Sequence, residues 1–359
     1  MEDENNNQYL DHDGKVAFVP LEDFESKVSN GQVCFLCANE FDCENTTVTD
    51  EHIIPQWILR KFDLFNNQVT LPNRTKFYYR SYVIPCCLSC NELLSKNLEN
   101  PLSKLLGSGF KFFIENVDEE MLHKIFFWFA TLFTKTHIKD QSLQMSRDRR
   151  RPMSTLAESL EYDWSRFLHT YSMCRSLYTN ATYTSHCIGS IFVTHVDSRG
   201  IEKNFDYFDV SYAQTAGILI DDIGIIVVFD DAGAVSEALD KPLLSKLNDS
   251  VTSIQLRELT ARFACCNLHI KNPPNFSTYL SPFKSRTQTY INCSFTEPAP
   301  TFHEYRPEIL GGLMEMLLGG LMEGKVNVKD YWETLRKGHL SFIFDNDGNI
   351  ISPDNSYQQ

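Results

Sequence analysis

No stretch of this chain comes near the ~20 consecutive apolar residues that cross a bilayer. A glycine-rich phosphate cradle and a nucleophile elbow are both missing, which sets aside nucleotide-loop and serine-hydrolase chemistry. The opening Met1-Glu2-Asp3-Glu4-Asn5-Asn6-Asn7 lacks the basic and apolar regions of a secretory signal. Excess positive charge is absent too: 33 Lys and Arg face 47 Asp and Glu, a net −14 that argues against broad nucleic-acid affinity. Eleven cysteines, an odd number, do not suit a disulfide framework and favour a reducing, cytoplasmic setting. With 359 residues the chain is long enough for about two domains, and a 42% hydrophobic share is that of a globular protein.

What is present is concentrated between Cys34 and Asn91. Cys34-Phe35-Leu36-Cys37 and Cys87-Leu88-Ser89-Cys90 are two Cys-x2-Cys turns, and 49 residues separate Cys37 from Cys87. Each such turn brings two thiolates to one metal, and two turns complete the tetrahedron of a structural zinc. One pair alone would read as ordinary buried thiols; two pairs favour zinc. Cys86 abuts Cys87 and competes as a ligand, although Cys87-x2-Cys90 fits the turn better. Between the pairs lies Asp50-Glu51-His52-Ile53-Ile54-Pro55, which reads as a short strand stopped by proline. An imidazole titrating near neutrality can take a proton from an attacking water, and the adjacent carboxylate can bind a hard cation such as Mg²⁺. Asn91 follows Cys90 at a helix start, where a metal ligand and a helix cap are both open readings.

In order, spacing and residue type, Cys34/Cys37, Glu51-His52-Ile53-Ile54-Pro55 and Cys87/Cys90-Asn91 resemble the zinc-stapled branch of the HNH (ββα-metal) endonucleases, over roughly residues 30–105. The resemblance implies a structural Zn²⁺ on the four cysteines, His52 as general base, and Glu51 and Asn91 as ligands of a catalytic Mg²⁺ or Mn²⁺. It further implies hydrolysis of phosphodiester bonds in nucleic acid, with double-stranded DNA the expected partner. The family pattern more often has Asp before the base, and its middle Asn orients the His through the backbone. Asn66, Asn67 and Asn73 occupy the intervening loop as turn residues, and none is assigned that role. Trp57 and Leu98-Glu99 are similar to features of a subgroup of uncharacterised bacterial HNH proteins, which suggests antiphage or mobile-element biology. The alternative is a zinc-dependent nucleic-acid or protein-binding module whose nuclease site has lapsed.

From His52 to Lys111 eight basic residues stand against three acidic ones, a local +5 in an acidic chain. Lys76-Phe77-Tyr78-Tyr79-Arg80-Ser81-Tyr82-Val83-Ile84 is rich in strand formers and reads as the second strand of the ββα unit. Lys76, Arg80 and Lys96 are the phosphate-contact candidates. On the helix from Asn91 onward, Glu99 reads as a surface charge and only secondarily as a ligand.

The expected organisation is α+β throughout: a polar segment 1–27, the nuclease-like module at 28–115, and a mixed α+β domain at 116–359 for sensing, docking or dimerisation. Glu119 to Lys139 reads as a buried apolar-aromatic helix, and Arg147 to Pro152 as a basic linker. Gly311-Gly312-Leu313-Met314-Glu315 recurs as Gly319-Gly320-Leu321-Met322-Glu323, a small-residue face suited to close helix packing or a homodimer. Asp221-Asp222, Asp230-Asp231 and Asp345-Asn346-Asp347-Gly348-Asn349 invite metal readings; the last resembles a fragment of a calcium loop but lacks the distal Glu and the flanking helices, and a turn between two strands explains it better.

Overall fold

The structure, a computed structural model, describes residues 9–41, 47–146, 148, 150, 153–199, 204–247, 249–283, 286–322 and 328–353. It is mixed α+β. In chain order the first elements are β1 (Tyr9–Leu10), β2 (Val16–Phe18), α1 (Leu21–Asp23), β3 (Val48–His52), α2 (Gln56–Lys61), β4 (Gln68–Thr70), β5 (Lys76–Tyr78) and β6 (Val83–Cys87). Then come α3 (Leu88–Leu94), α4 (Asn100–Leu106), α5 (Phe110–Asn116), α6 (Glu119–Ser142), α7 (Leu156–Ser159), α8 (Phe167–Thr179) and β7 (Thr182–Tyr183). The remainder is β8 (Ile191–Asp197), β9 (Phe205–Val210), β10 (Thr215–Ile220), β11 (Ile223–Val228), α9 (Ala234–Asp240), β12 (Val251–Thr252) and α10 (Ser253–Leu268). β13 (Asn275–Phe283), β14 (Arg286–Ser294), α11 (Pro307–Met322) and α12 (Val328–Arg336) follow. No helix among the described residues is long and apolar enough to cross a membrane.

The chain divides into two compact units, and not at residue 115. One comprises residues 1–104, 118–187 and 276–293; the other comprises 105–117, 188–275 and 294–359. The expected boundary fails because α6 and α8, which follow it, pack with the cysteine-rich segment that precedes it.

In the first unit β3 pairs antiparallel with β6, setting Glu51 opposite Ile84 and His52 opposite Val83. Val48 and Thr49 are β-branched and suit a strand; Ile53-Ile54-Pro55 ends it, and Pro55 then caps α2. Behind β6, α3 continues through a π-helical turn, Ser95–Glu99, into α4. Pro101 has no N–H to give the Asn97 carbonyl, a local reason for the helix to widen there. Asp118 caps α6 by accepting from the Met121 N–H at 2.8 Å. As its composition predicts, α6 is buried almost all round in its second half, with Phe126, Trp128, Phe129 and Phe133 in the core. Phe133 and His137 meet Phe167 of α8 at ring distances of 5.6 and 5.1 Å. A further sheet, β13-β14-β7, completes the unit.

The second unit is built on a five-stranded sheet ordered β12-β8-β11-β10-β9, antiparallel except for the β12–β8 pair. β9 and β10 are separated by a turn in which Gln214 adopts φ +43°. α10 packs close to the sheet because Gly217 lacks a side chain: an added Cβ would stand 2.3 Å from the Phe208 ring and 2.7 Å from Thr260 Oγ1. The buried Glu258 carboxylate of α10 accepts from Ser341 Oγ at 2.7 Å and from the Ile343 N–H at 3.1 Å, pinning the C-terminal segment. All three aspartate motifs serve turns or loops. Asp222 accepts from the Phe110 N–H, Asp231 from Ser190 and the Val235 N–H, and Asp345 from the Asp347 and Asn349 N–H groups. Of the glycine repeat, Gly311 abuts the Arg336 backbone while Gly312 and Gly320 face open space; Glu323 lies outside the described residues, as do Arg147, Arg149, Arg151 and Pro152.

Two predictions arise here. A fragment beginning at residue 116 keeps α6 and α8 without the elements that cover them, so it should aggregate; a monodisperse fragment with a cooperative melt would contradict the division. His169, stacked on Phe276 at 3.6 Å with Nε2 3.0 Å from the Cys187 carbonyl, is held by burial down to about 3, the carbonyl contact opposing. The unfolded imidazole protonates near 6.5, so this contribution is complete above that pH and is lost as pH falls toward 3. Relative to His169→Phe, the wild type should lose about 2 kcal/mol more stability between pH 7.5 and pH 5 in urea titrations.

Candidate functional site

The cysteines are gathered by three different local structures. Cys34 and Cys37 bracket a tight turn in which the Ala38 N–H donates to the Cys34 carbonyl at 2.8 Å. Cys87 is the last residue of β6, and Cys90 lies in the first turn of α3. All four are buried, and their Sγ atoms lie within 4.8 Å of one another. A zinc–sulfur bond of about 2.3 Å gives a tetrahedron with edges of about 3.8 Å; Cys37 Sγ and Cys87 Sγ are 3.7 Å apart. The donor set and its dimensions fit, so the cluster could hold a zinc ion. Contacts from Cys37, Cys86 and Cys90 draw the Cys34 thiol far below its usual range, while the Cys34 contact pushes Cys86 and Cys90 far above theirs. Cys86 is a fifth thiol, with Sγ 3.8 Å from Cys34 Sγ, outside the group of four. Buried Arg175 of α8 donates to the Leu36 carbonyl at 2.8 Å, fixing the turn from behind. A second group, Asp11, His12 and Asp13, is more open, and Asp11 there caps the Asp13 and Lys15 N–H groups of its own turn.

Glu51, His52 and Asn91 stand within this frame. Asn91 is not the helix cap; Cys87 holds that position. The Asn91 side-chain NH₂ instead donates to Thr49 Oγ1 at 3.2 Å, joining α3 to β3. Thr49 and Glu51 are two residues apart and so share a face of the strand, and His52 lies on the other. Glu51 is only 7% exposed, and its Oε1 receives the Lys135 ammonium of α6 at 2.6 Å. The same ammonium, 1% exposed, donates to the His52 carbonyl at 2.7 Å. Burial pulls the Lys135 value down, but the Glu51 and Glu99 carboxylates outweigh it and the ammonium persists. Glu99 is therefore no surface charge. It is partly buried near Lys135 and Glu51, and burial raises it to about 7 against the pull of Lys135.

His52 is half-buried, and burial holds its imidazole below the usual range, with Lys135 adding to the effect and Glu51 opposing it. The Gln56 amide lies 3.2 Å from His52 Nδ1, while Arg60 donates to Gln56 Oε1. Because Arg60 claims the oxygen, the Gln56 NH₂ faces the ring, and Nδ1 is the nitrogen with the lone pair. Around neutral pH this is an uncharged imidazole of fixed tautomer.

The phosphate-contact candidates are placed differently from expectation. The run 76–84 is not one strand: β5 pairs with β4, a 3-10 turn covers Tyr79–Ser81, and β6 is the partner of β3. Lys76 is thus exposed on a separate hairpin. Arg80 sits in the turn, donating to Asn66 Oδ1 at 2.8 Å and lying 4.8 Å over the Tyr78 ring. Lys96 is exposed on the π-helical turn after α3. Missed from the sequence were Lys135, Gln56 and Thr49. A lysine inside an otherwise apolar helix signals a buried partner, but its identity, 84 residues away, is not written locally.

Freshly purified protein should contain about one zinc per chain by elemental analysis. Cys37→Ser or Cys90→Ser should lose the metal and unfold the first unit, whereas Cys86→Ser should keep it; equal loss in all three would mean a different ligand set. No family model, curated protein or solved structure matches this chain, so the functional reading rests on the residues and geometry above.

Proposed function

We propose that the chain is a metal-dependent endonuclease of the HNH type that hydrolyses phosphodiester bonds in DNA, with the four cysteines holding a structural zinc. The observation that carries the reading is the neutral, tautomer-fixed His52 at the end of β3, one residue after a carboxylate, with Asn91 of the following helix bonded to the same strand. Glu51 and Asn91 supply the carboxylate and amide oxygens that Mg²⁺ or Mn²⁺ accepts, the remaining positions falling to water and phosphate. Such an ion would neutralise the scissile phosphate and stabilise the departing 3′ oxygen. His52 takes the proton of the attacking water at Nδ1, in competition with the weak 3.2 Å contact from Gln56. Lys76 and Lys96, both exposed, provide phosphate contacts, with Arg80 available where it leaves Asn66. Homodimer formation through α11 and an antiphage or mobile-element setting remain companion proposals.

One observation favours a second reading. The Lys135 ammonium already balances Glu51, as it would in a zinc-stapled binding module that has given up its catalytic ion.

Plasmid incubated with the purified protein and Mg²⁺ or Mn²⁺ separates the two. Cleavage is expected, and His52→Ala should lower its rate by about 10²–10⁴ with zinc content and DNA affinity unchanged. Asn91→Ala should recover part of its activity at higher metal concentration, while His52→Ala should not. Lys76→Ala and Lys96→Ala should weaken binding and flatten its salt dependence. DNA binding without cleavage by the wild type would leave the binding module as the reading.

A further inference from the structure

Lys135 lies outside every motif named above, on a helix that follows the cysteine-rich segment, yet its ammonium is in contact with two consecutive residues of the candidate site. It donates to Glu51 Oε1 at 2.6 Å and to the His52 main-chain carbonyl at 2.7 Å, and is 1% exposed. Its helix is fixed independently: Phe133 and His137, two residues to either side, pack on Phe167. The donor therefore reaches β3 from a rigid support rather than from a mobile stem. A carbonyl held by a buried cation cannot rotate its peptide plane, and the plane following His52 joins it to Ile53, whose N–H is itself bonded to the Tyr82 carbonyl at 3.0 Å. With one end of the strand fixed in this way, the Cα–Cβ direction of His52 is set, and Gln56 then fixes the ring.

We propose that Lys135 is the positioning residue of this site, supplying from α6 a hold on the His52 backbone. In the 66–73 loop, Asn73 caps the Thr75 N–H and bonds to the Gln144 and Met145 carbonyls, and Asn66 accepts from Arg80, so these two side chains are engaged elsewhere. One ammonium thereby orients the base through its carbonyl and the neighbouring carboxylate through Oε1. Lys135 does not touch the reacting atoms. It acts through the two residues it holds.

The inference rests on the nuclease reading for its kinetic consequence and stands apart from it in its spectroscopic one. Histidine labelled with ¹³C at Cε1 gives each imidazole a separate signal, and His52→Ala assigns that of His52. In Lys135→Met the His52 signal should move or broaden while those of His137 and His169 stay, and Lys135→Arg should bring it back toward the wild-type position. In cleavage, Lys135→Met should lower kcat by about 10²-fold with KM for DNA unchanged, the size of effect expected from a misplaced group. If Lys135→Met fails to fold because Glu51 is left unpaired, Glu51→Gln/Lys135→Met removes both charges and still releases the His52 carbonyl, so its spectrum carries the test. An unmoved His52 signal in the folded variant, or wild-type kcat in Lys135→Met, overturns the proposal. Should the wild type itself not cut DNA, the nuclease reading falls alone and the His52 signal still decides for or against Lys135.

Discussion

The first unit depends on four thiols meeting at one point. β3 and β6 form a two-stranded ribbon, which in water is marginal on its own. Cys87 ends that ribbon, Cys90 opens the helix that leaves it, and the Cys34–Cys37 turn arrives from 50 residues earlier to close the group. A zinc ion bound by such a set contributes about 10–16 kcal/mol in small zinc-folded peptides, comparable with the whole net stability of an ordinary domain, about 5–15 kcal/mol. Closure also fixes the angle at which α3 departs. Asn91 is next in sequence to Cys90, so anchoring that thiol brings the amide to Thr49 and, with it, to the strand that carries Glu51 and His52.

A second constraint is laid over the first. A lysine ammonium at 1% exposure cannot be tolerated without anionic partners, and Lys135 finds Glu51 with Glu99 nearby. Removing one member of such a pair typically costs about 3–5 kcal/mol, since the other charge is left buried and uncompensated. This is why α6 is inseparable from the cysteine-rich segment, and why a boundary drawn from composition at 115 divides one compact unit. Helix α6 reads as an autonomous apolar element because thirteen of its residues are buried. Its one buried cation gives it an address.

What could be read in the sequence was whatever the chemistry writes locally. The Cys-x2-Cys spacing, the Glu51-His52 adjacency and the position of Asn91 after Cys90 are short-range patterns, and the four thiols do come together as the spacing predicts. Strand composition, by contrast, misled at 76–84, where aromatic and β-branched residues suit either a strand or a bent hairpin edge. The choice was made by Tyr79–Ser81 turning and freeing Val83–Cys87 to pair with β3. Glu99 looked like a surface charge because its sequence neighbours are polar; its surroundings include Lys135, 36 residues on. The hidden information is in each instance long-range: which carboxylate meets which lysine is decided by the packing of α6 on β3 and α3.

The Glu51–Lys135 pair bears on function through what it is not. Two apolar side chains of similar volume would fill the same space, and such replacements of buried ion pairs are often neutral or stabilising by about 1–4 kcal/mol. Stability alone therefore gives no reason for a carboxylate and an ammonium here. Orientation does. The ammonium binds a side-chain oxygen of Glu51 and a main-chain oxygen of His52 at once, something no methyl group can do, and it does so on the residue whose imidazole is held neutral by burial and in one tautomer by Gln56 and Arg60. Three side chains from two helices thus act on a single dipeptide. That concentration of polar contacts, set against a core otherwise made of phenylalanine, tryptophan and leucine, is the physical mark of a site built to hold a geometry rather than merely to remain folded.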